Sequence, residues 1–497
     1  MEQFIAGTLA LVSSPLSMVV FAAGLFGGLL FGAIPGINML TLGAIVLPFS
    51  GMLSAADAIM FYSVLYCSGT YGGAVTAILF NIPGSPENAP TAFDGYPMTK
   101  QGLAGKAIGA AVFCSSLGGT CSALLMMVAT PLIADWAVRN FSSPEIFALV
   151  FFGIAVASSV GARTLWKGWL SVGFGLMIAT IGLDPVAGIQ RYDFGFTYLL
   201  AGIHFIPTIL GFFAVSEIFV QAERRVRGRF EMPKFSTHFP SFAEFWRLKI
   251  AVVRSVLVGF FAGVLPGIGV TLAAFMSYNE AVRWSKTPEK FGKGHLEGVV
   301  ASETANNAAT GAAMIPLLAL GLPGGAVTAM MVGVFQIHDM EPGPLVFVTS
   351  SDLVWVVFAA MFFANICILG LGYVETRTVL HLLKIPFQFL APAILLLATV
   401  GAYAVRNLVM DVVVMFLAGI IAYFMRRSGY SVAGIVLGLI LGSIGEENFA
   451  QGMQMVGYDW GDFFTRPIVA VLIFGGVATI VTNIYRELCG KRKGVEV

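Results

Sequence analysis

Four Pro-Gly pairs interrupt apolar stretches of the chain: Pro35-Gly36, Pro83-Gly84, Pro266-Gly267 and Pro323-Gly324. Proline removes a backbone donor and glycine frees the backbone, so a helix is expected to end near such a pair. The N–H groups that begin the next helix attract anions, whereas unwound carbonyl groups suit a hard cation. The pairs therefore predict ion-binding sites. The alternative that they only kink packed helices stays open.

Polar side chains flank two of these pairs. The sequence SPENAPTAFDGYP (85–97) follows Pro83-Gly84, and SETANNAATG (302–311) precedes Pro323-Gly324. Amides and hydroxyls bind an anion without the cost of burying a fixed charge. We predict an anion site formed by the backbone at both pairs and by the side chains of Ser85, Asn88, Thr91, Ser302, Asn306 and Thr328. A solvated loop is the alternative for residues 87–94.

The other two pairs predict a cation site. The carbonyl groups around Pro35-Gly36 and Pro266-Gly267 would bind the cation, assisted by Asn38 and Asn307. The five histidines are scattered without an HExxH spacing, and the five cysteines form no CxxC pair. We therefore expect no metal beyond a possible sodium ion, and no cofactor apart from Na⁺ or H⁺ as a coupling ion.

The composition indicates where these sites lie. Of 497 residues, 57% are hydrophobic and 11% are charged, whereas a soluble domain has roughly 25% charged residues. Most of the apolar runs reach the roughly 20 residues that cross a bilayer; they are 17–34, 58–80, 107–134, 195–218, 345–373, 408–425 and 465–485. The chain is thus expected to be a multi-pass helical membrane protein. A net charge of +1 without a basic stripe argues against nucleic-acid binding.

The sequence contains two similar halves. GAIPGI returns as GVLPGI 231 residues later, and the next Pro-Gly pair returns 240 residues later. Further landmarks, Arg163 and Arg426 among them, are 263 residues apart. The increase of 23 residues is about one membrane span, which predicts an extra helix at 408–425. Tyr192-Asp193 and Tyr458-Asp459 precede the final span of the two halves.

The distribution of basic residues predicts opposite orientations for the halves. Residues 221–249 contain seven Lys/Arg and three Glu, and the loop 283–294 is basic where its counterpart 51–57 is not. Basic loops stay inside, so the linker and C-terminus should be inside and the N-terminus outside. We predict an all-α polytopic fold of about a dozen spans in two inverted repeats with re-entrant hairpins. Its parts are repeat 1–220, linker 221–249 and repeat 250–497.

Two alternatives of other classes remain. A passive anion channel is possible because re-entrant loops also build pores. An intramembrane aspartyl protease would need two facing carboxylates at depth, for which Asp193 and Asp459 are the candidates. These aspartates lie in segments rich in Gly, Gln and Asn, which makes the protease the weaker alternative. The chain has no P-loop motif, so ATP hydrolysis is not expected.

Long motifs resemble one known family. GAIPGI, YGGAVTAILFNIPGSPENAPTAFDGYPM (71–98) and SETANNAATGAAMIPLLALGLPG (302–324) are similar to the large permease subunit of the tripartite tricarboxylate transporters. The resemblance covers nearly the whole chain. Two departures from the family pattern stand out: Asn38 stands near a usual second glycine, and Glu87 with Pro90 replaces small residues.

This resemblance implies a secondary transporter rather than an enzyme. Members of the family import organic carboxylates, such as tri- or dicarboxylates, across the bacterial inner (cytoplasmic) membrane. The expected mechanism is alternating access with cation symport. The expected partners are a periplasmic solute-binding protein, a small integral-membrane subunit and the lipid bilayer.

The inverted topology can be tested by labelling. In a background without native cysteines, cysteines introduced singly at Ser54 and Ser285 should react with impermeant thiol reagents from opposite sides of the membrane. The physical reason is that equivalent loops of inverted repeats face opposite compartments. Reaction of both positions from the same side would contradict the inversion.

Overall fold

The computed structural model describes residues 2–34, 37–158, 164–223, 240–265, 269–382 and 387–492. Pro35, Gly36, Pro266 and Gly267, which were predicted to hold a cation, lie outside these residues, as does most of the linker 221–249. The division into two repeats and a linker therefore stays a prediction.

The first part of the chain is helical. Its α-helices are α1 (Glu2–Ser13), α2 (Pro15–Ala33), α3 (Met39–Val46), α4 (Ala55–Phe80), α5 (Ala89–Lys100), α6 (Ala104–Asn140), α7 (Ser143–Ala157), α8 (Leu165–Ala179), α9 (Thr197–Leu200), α10 (Phe205–Ile209) and α11 (Ser216–Glu223). A π-helical segment, Leu210–Val215, joins α10 to α11, and 3₁₀ turns cover Leu47–Met52 and Pro86–Asn88.

The second part is also helical. Its α-helices are α12 (Phe242–Arg247), α13 (Lys249–Val264), α14 (Gly269–Trp284), α15 (Leu296–Leu320), α16 (Ala326–Ile337), α17 (Val346–Thr349), α18 (Ser351–Leu382), α19 (Phe387–Arg406), α20 (Val409–Arg427), α21 (Val432–Met455), α22 (Trp460–Thr465) and α23 (Pro467–Arg492). A 3₁₀ turn covers Pro288–Lys290.

The helical membrane fold is confirmed, with one small exception. Strands β1 (Gly182–Leu183) and β2 (Gln190–Arg191) pair antiparallel, so an all-α description omits a short hairpin. Its turn is stabilised by Asp184, whose carboxylate accepts hydrogen bonds from the N–H groups of Ala187 and Val186. Such local bonding is invisible to hydrophobic periodicity.

Eight helices of the described residues are long and apolar enough to cross a membrane, and five shorter apolar helices accompany them. The predicted extra helix at 408–425 is α20, Val409–Arg427. Helix α21 was not predicted from the apolar runs, because Glu446 and Glu447 interrupt its hydrophobic pattern. The number of about a dozen spans and the inversion of the repeats stay predictions.

Helices α4 and α15 form the centre of the fold. Nearly every residue of both is buried. Helix α4 packs against α2 and α18, and α15 packs against α6 and α13. Glycines at these contacts allow close approach: a Cβ on Gly259 of α13 would lie 2.8 Å from the Cα of Ala305. Small residues serve this purpose in membrane helix packing, where van der Waals contact replaces the hydrophobic effect.

Helix α23 shows the opposite pattern. Its span is mostly unburied, and it exposes Val471, Phe474, Val477 and Val481. An exposed apolar surface on a span-length helix is the expected lipid-facing surface.

The close packing of α13 on α15 generates a stability prediction. Gly259→Ala should lower the melting temperature of the purified protein, because the new methyl group overlaps the Ala305 backbone. Gly370→Ala in α18 is the matched control, since a Cβ there meets nothing within 4 Å. The measurement is thermal unfolding in one detergent, and equal melting temperatures for both variants would contradict the packing.

Candidate functional site

The two central helices end in the same way. Helix α4 ends at Asn81 (φ 57°) and α15 ends at Gly321 (φ 75°), both in the left-handed region. The next residues, Ile82 and Leu322, donate their N–H groups to the carbonyls of Thr76 and Pro316, at 3.3 and 3.0 Å respectively. Corresponding residues are 240 apart, so the Pro-Gly pairs terminate helices rather than only kink them.

Glycine is required immediately after each proline. A Cβ on Gly84 would lie 2.6 Å from the Cα of Gly73, and one on Gly324 would lie 2.8 Å from the Ala313 carbonyl oxygen. Gly73 and Ala313 are again 240 residues apart. Each turn therefore folds back against its own central helix, and a side chain would push it away.

The next elements begin at equivalent positions. Ser85 precedes the 3₁₀ turn and donates from Oγ to Oδ1 of Asn88 at 2.7 Å. Gly325 precedes α16, and its N–H donates to Oγ1 of Thr328 at 2.8 Å. The structure thus shows Asn88 and Thr328 stabilising the turns from inside the protein.

The first Pro-Gly pair of each half also precedes a helix. Asn38 caps α3, where its Oδ1 accepts the N–H of Thr41 at 3.1 Å. Helix α14 begins at Gly269, 231 residues after Asn38. Both positions follow pairs that lie outside the described residues. Their helices nevertheless point their first turns to the same place as α16.

That place is a cavity of about 260 Å³. The N-terminal residues of α3, α14, α16 and α21 line it, namely Asn38, Met39, Leu40, Gly269, Val270, Thr271, Gly325, Ala326, Val327, Ser431, Val432, Ala433 and Gly434. The first N–H groups of a helix have no partner within that helix and carry partial positive charge. Four such ends around one cavity favour an anion.

Side chains complete the cavity with both apolar and charged surface. Phe212 and Phe213 come from the π-helical segment, a type of distortion that is frequent at functional sites. Arg426 of α20 also lines the cavity, and its Nη1 lies 2.6 Å from Oε2 of Glu217. This arginine was not predicted as a site residue. Its only sequence signal was its position as a landmark of the repeat.

Glu87 is the other acidic side chain in the lining. It is 5% exposed, and its Oε2 lies 3.5 Å from the Thr271 hydroxyl. Its Oε1 is buried without a hydrogen-bond partner among the described residues. Buried polar atoms normally have partners, so an unpartnered carboxylate oxygen marks a place where a ligand can bind.

A second polar cluster lies around Glu303 of α15, which is completely buried. Its carboxylate accepts hydrogen bonds from Thr91, from Ser115 at 2.9 Å and from the amide of Asn306 at 3.1 Å. Asn307 donates to Asn306 at 3.0 Å, while its own Oδ1 has no partner among the described residues. We call these residues, with Ser302, the Glu303 cluster.

The structure therefore divides the predicted residues between two places. The cavity contains Ser85 and Asn38 in its lining. Thr91, Ser302, Asn306 and Asn307 belong to the Glu303 cluster, and Asn88 and Thr328 stabilise the turns between them. Glu303 lies within the predicted polar run but was not predicted as a site residue, because helical spacing alone did not show three elements converging on it.

Other acidic residues have structural partners. Asp411 binds Arg406 and the hydroxyl of Tyr198, and Asp94 accepts the Tyr278 hydroxyl at 2.9 Å. Asp459 is exposed and caps α22 through the N–H of Gly461 at 2.7 Å. An exposed cap cannot provide one of two buried facing carboxylates, so the geometry does not favour a protease.

The fold defines a multi-pass membrane protein with a central cavity lined by helix N-termini. A family model described as "Tripartite tricarboxylate transporter TctA family" matches residues 18–437, and the chain belongs to this family.

Two relatives come from Agrobacterium vitis. The "Uncharacterized 52.8 kDa protein in TAR-I ttuC' 3'region" is 35% identical over 484 residues, which covers 97% of this chain and 96% of the relative. The "Uncharacterized protein in TAR-II ttuC' 3'region" is 36% identical over 239 residues, 48% of this chain and 99% of the relative. No solved structure matches the chain.

The Glu303 cluster generates a prediction about the cation. Asn307→Ala should weaken the apparent affinity for the coupling ion roughly tenfold or more, because it leaves the buried amide oxygen of Asn306 without its donor, at a cost of about 1–3 kcal/mol. The measurement is the cation dependence of uptake at normal expression.

Asn448→Ala is the matched control, since this amide donates to the carbonyl of Ile444 within α21 and touches neither site. Asn365, an amide elsewhere in the chain, is unsuitable because it contacts Cys67, which contacts Thr310 of α15. Equal effects of the Asn307 and Asn448 substitutions would show that Asn307 only packs.

Proposed function

We propose that this protein is the permease subunit of a tripartite transporter that imports organic carboxylates, such as di- or tricarboxylates, across the bacterial inner membrane. A periplasmic solute-binding protein would deliver the carboxylate, and a small integral-membrane subunit would complete the complex. One observation carries this proposal: four helix N-termini from both halves of the chain surround a single cavity.

The cavity suits a small carboxylate. Its volume lies just below the roughly 300–1,000 Å³ of pockets for drug-sized ligands. Backbone N–H groups of α16 and α21 would hold the carboxylate oxygens, and the hydroxyl group of Ser431 would add a donor. Ser85, whose hydroxyl donates to Asn88, would line the site. Because Arg426 is neutralised by Glu217, the positive potential comes mainly from helix ends, which allows release as well as binding.

Alternating access agrees with the repeated architecture. Asn38 and Gly269, and likewise Ser85 and Gly325, contribute equivalent backbone positions from the two halves to one cavity. A site between two repeats opens to either side when one repeat rocks against the other. The close glycine contacts of α4 and α15 would keep each broken helix intact during that movement.

Coupling to Na⁺ or H⁺ would use the second site. Hard cations prefer carboxylate, hydroxyl and amide oxygens, and the Glu303 cluster contains all three types. Carbonyl groups around Pro35-Gly36 and Pro266-Gly267 stay part of this proposal. A cation bound beside Glu303 would favour the arrangement of α5, α6 and α15 in which their polar groups converge.

Transport assays in proteoliposomes test the function. With the binding protein and small subunit present, uptake of a labelled dicarboxylate should saturate and should depend on a Na⁺ or H⁺ gradient. Ala433→Cys, in a cysteine-free background, should make uptake sensitive to a thiol reagent, because Ala433 lines the cavity. Added dicarboxylate should slow that modification.

Ala201→Cys provides the control, since Ala201 lines a different cavity near β1 and β2. Its modification should be independent of the dicarboxylate. Flux that never saturates and ignores both gradients would indicate a passive channel instead. Equal protection of both cysteines would contradict binding in the central cavity.

A further inference from the structure

Glu87 breaks the equivalence of the two halves inside the cavity. The position 240 residues later is Val327, which also lines the cavity and is apolar. The helix ends that the halves share there attract anions, whereas Glu87 adds a carboxyl group to one side of the cavity. A carboxylate in an anion site opposes binding unless the ligand provides something for it to accept.

The contacts of Glu87 leave one of its carboxyl oxygens available to accept a hydrogen bond from a ligand. Oε2 lies 3.5 Å from the Thr271 hydroxyl, and Oε1 has no partner among the described residues although it is buried. An unpaired buried acceptor is costly, and a ligand donor that reaches it removes the cost. The side chain lies in the lining, so a bound molecule can reach this oxygen.

The titratable groups around Glu87 in the described part of the cavity do not provide a partner for its Oε1. The other titratable groups of the lining are Glu217, Arg426, Tyr66 and Tyr430. Arg426 is paired with Glu217 and with the Ser216 hydroxyl. The first turns of α14 and α16 provide partial positive charge, which a bound carboxylate would also use. A ligand must therefore present acceptors to the helix ends and a donor to Glu87.

We propose that Glu87 is a specificity-determining residue that selects carboxylates with a hydroxyl group on the carbon next to a carboxylate. This inference rests on the proposed function and names its substrate class. A hydroxyl provides one proton and therefore matches one unpartnered oxygen. An ammonium group has three protons and needs three acceptors, so it fits less well.

Three four-carbon dicarboxylates test this selection because they differ at one carbon: succinate has hydrogen, malate has hydroxyl and aspartate has ammonium. Binding is measured by calorimetry on the full chain in nanodiscs at one pH, without the binding protein and its own selectivity. Malate should bind about ten- to a hundredfold more tightly than succinate and more tightly than aspartate, as expected when a buried acceptor gains its missing hydrogen-bond partner.

Two variants test whether Glu87 causes the preference for malate over succinate. Glu87→Val, which copies the equivalent position 327, should bind succinate and malate equally. Glu87→Gln should keep a reduced preference, because its amide oxygen still accepts but is neutral. Glu447→Gln is the control: it lies in the cavity near β1 and β2 and should leave the preference unchanged. Thermal unfolding checks that all three variants fold.

The outcomes of these experiments distinguish the role of Glu87 from the proposed transport of carboxylates. Equal binding of malate and succinate by the natural protein would overturn the role of Glu87 and leave carboxylate transport standing. Tighter binding of aspartate than of malate would likewise overturn the hydroxyl assignment. Weakened binding of all three acids in Glu87→Val, with the preference retained, would show a structural role. Failure of the natural protein to bind any of them, together with absent uptake, would contradict the proposed function itself.

Discussion

The requirement that every backbone polar group be satisfied inside a membrane controls the structure. Hydrocarbon offers no hydrogen bonds, so a helix can end at membrane depth only where protein or water covers its end. Helices α4 and α15 are capped at Asn81 and Gly321, and the residues that follow donate their N–H groups back to helix carbonyls, so the chain itself satisfies these ends. The cavity follows from this constraint, because the freed N–H groups of the next helices need a polar space.

The two halves of the chain contribute equivalent structural elements around the cavity. Residues 240 positions apart form the same turn and the same close glycine contact, and residues 231 or 240 positions apart line the same cavity. A helix end from one half alone would offer a weak and one-sided potential. Helix ends from both halves surround the cavity, and the arginine in its lining is paired with Glu217.

The two polar sites differ in what they offer. The cavity presents mainly donors, since helix N-termini and hydroxyl groups line it, whereas the Glu303 cluster presents a carboxylate with hydroxyls and amides. Thr91 and Asn88 lie on the short segment between Ser85 of the cavity and the residues that contact Glu303. This segment connects the cavity to the Glu303 cluster through a few residues.

The sequence by itself determined the membrane class, most of the long helices and the positions where helices break, because composition, hydropathy and Pro-Gly pairs act locally. It also pointed to polar residues that the structure buries at the cavity and at the Glu303 cluster, Ser85 and Asn307 among them. Only the tertiary structure decided that they divide between a cavity and a separate cluster, and that Arg426 and Glu87 join the cavity. Those assignments depend on which helix ends meet, and contacts between residues hundreds of positions apart leave no periodic signal in one sequence.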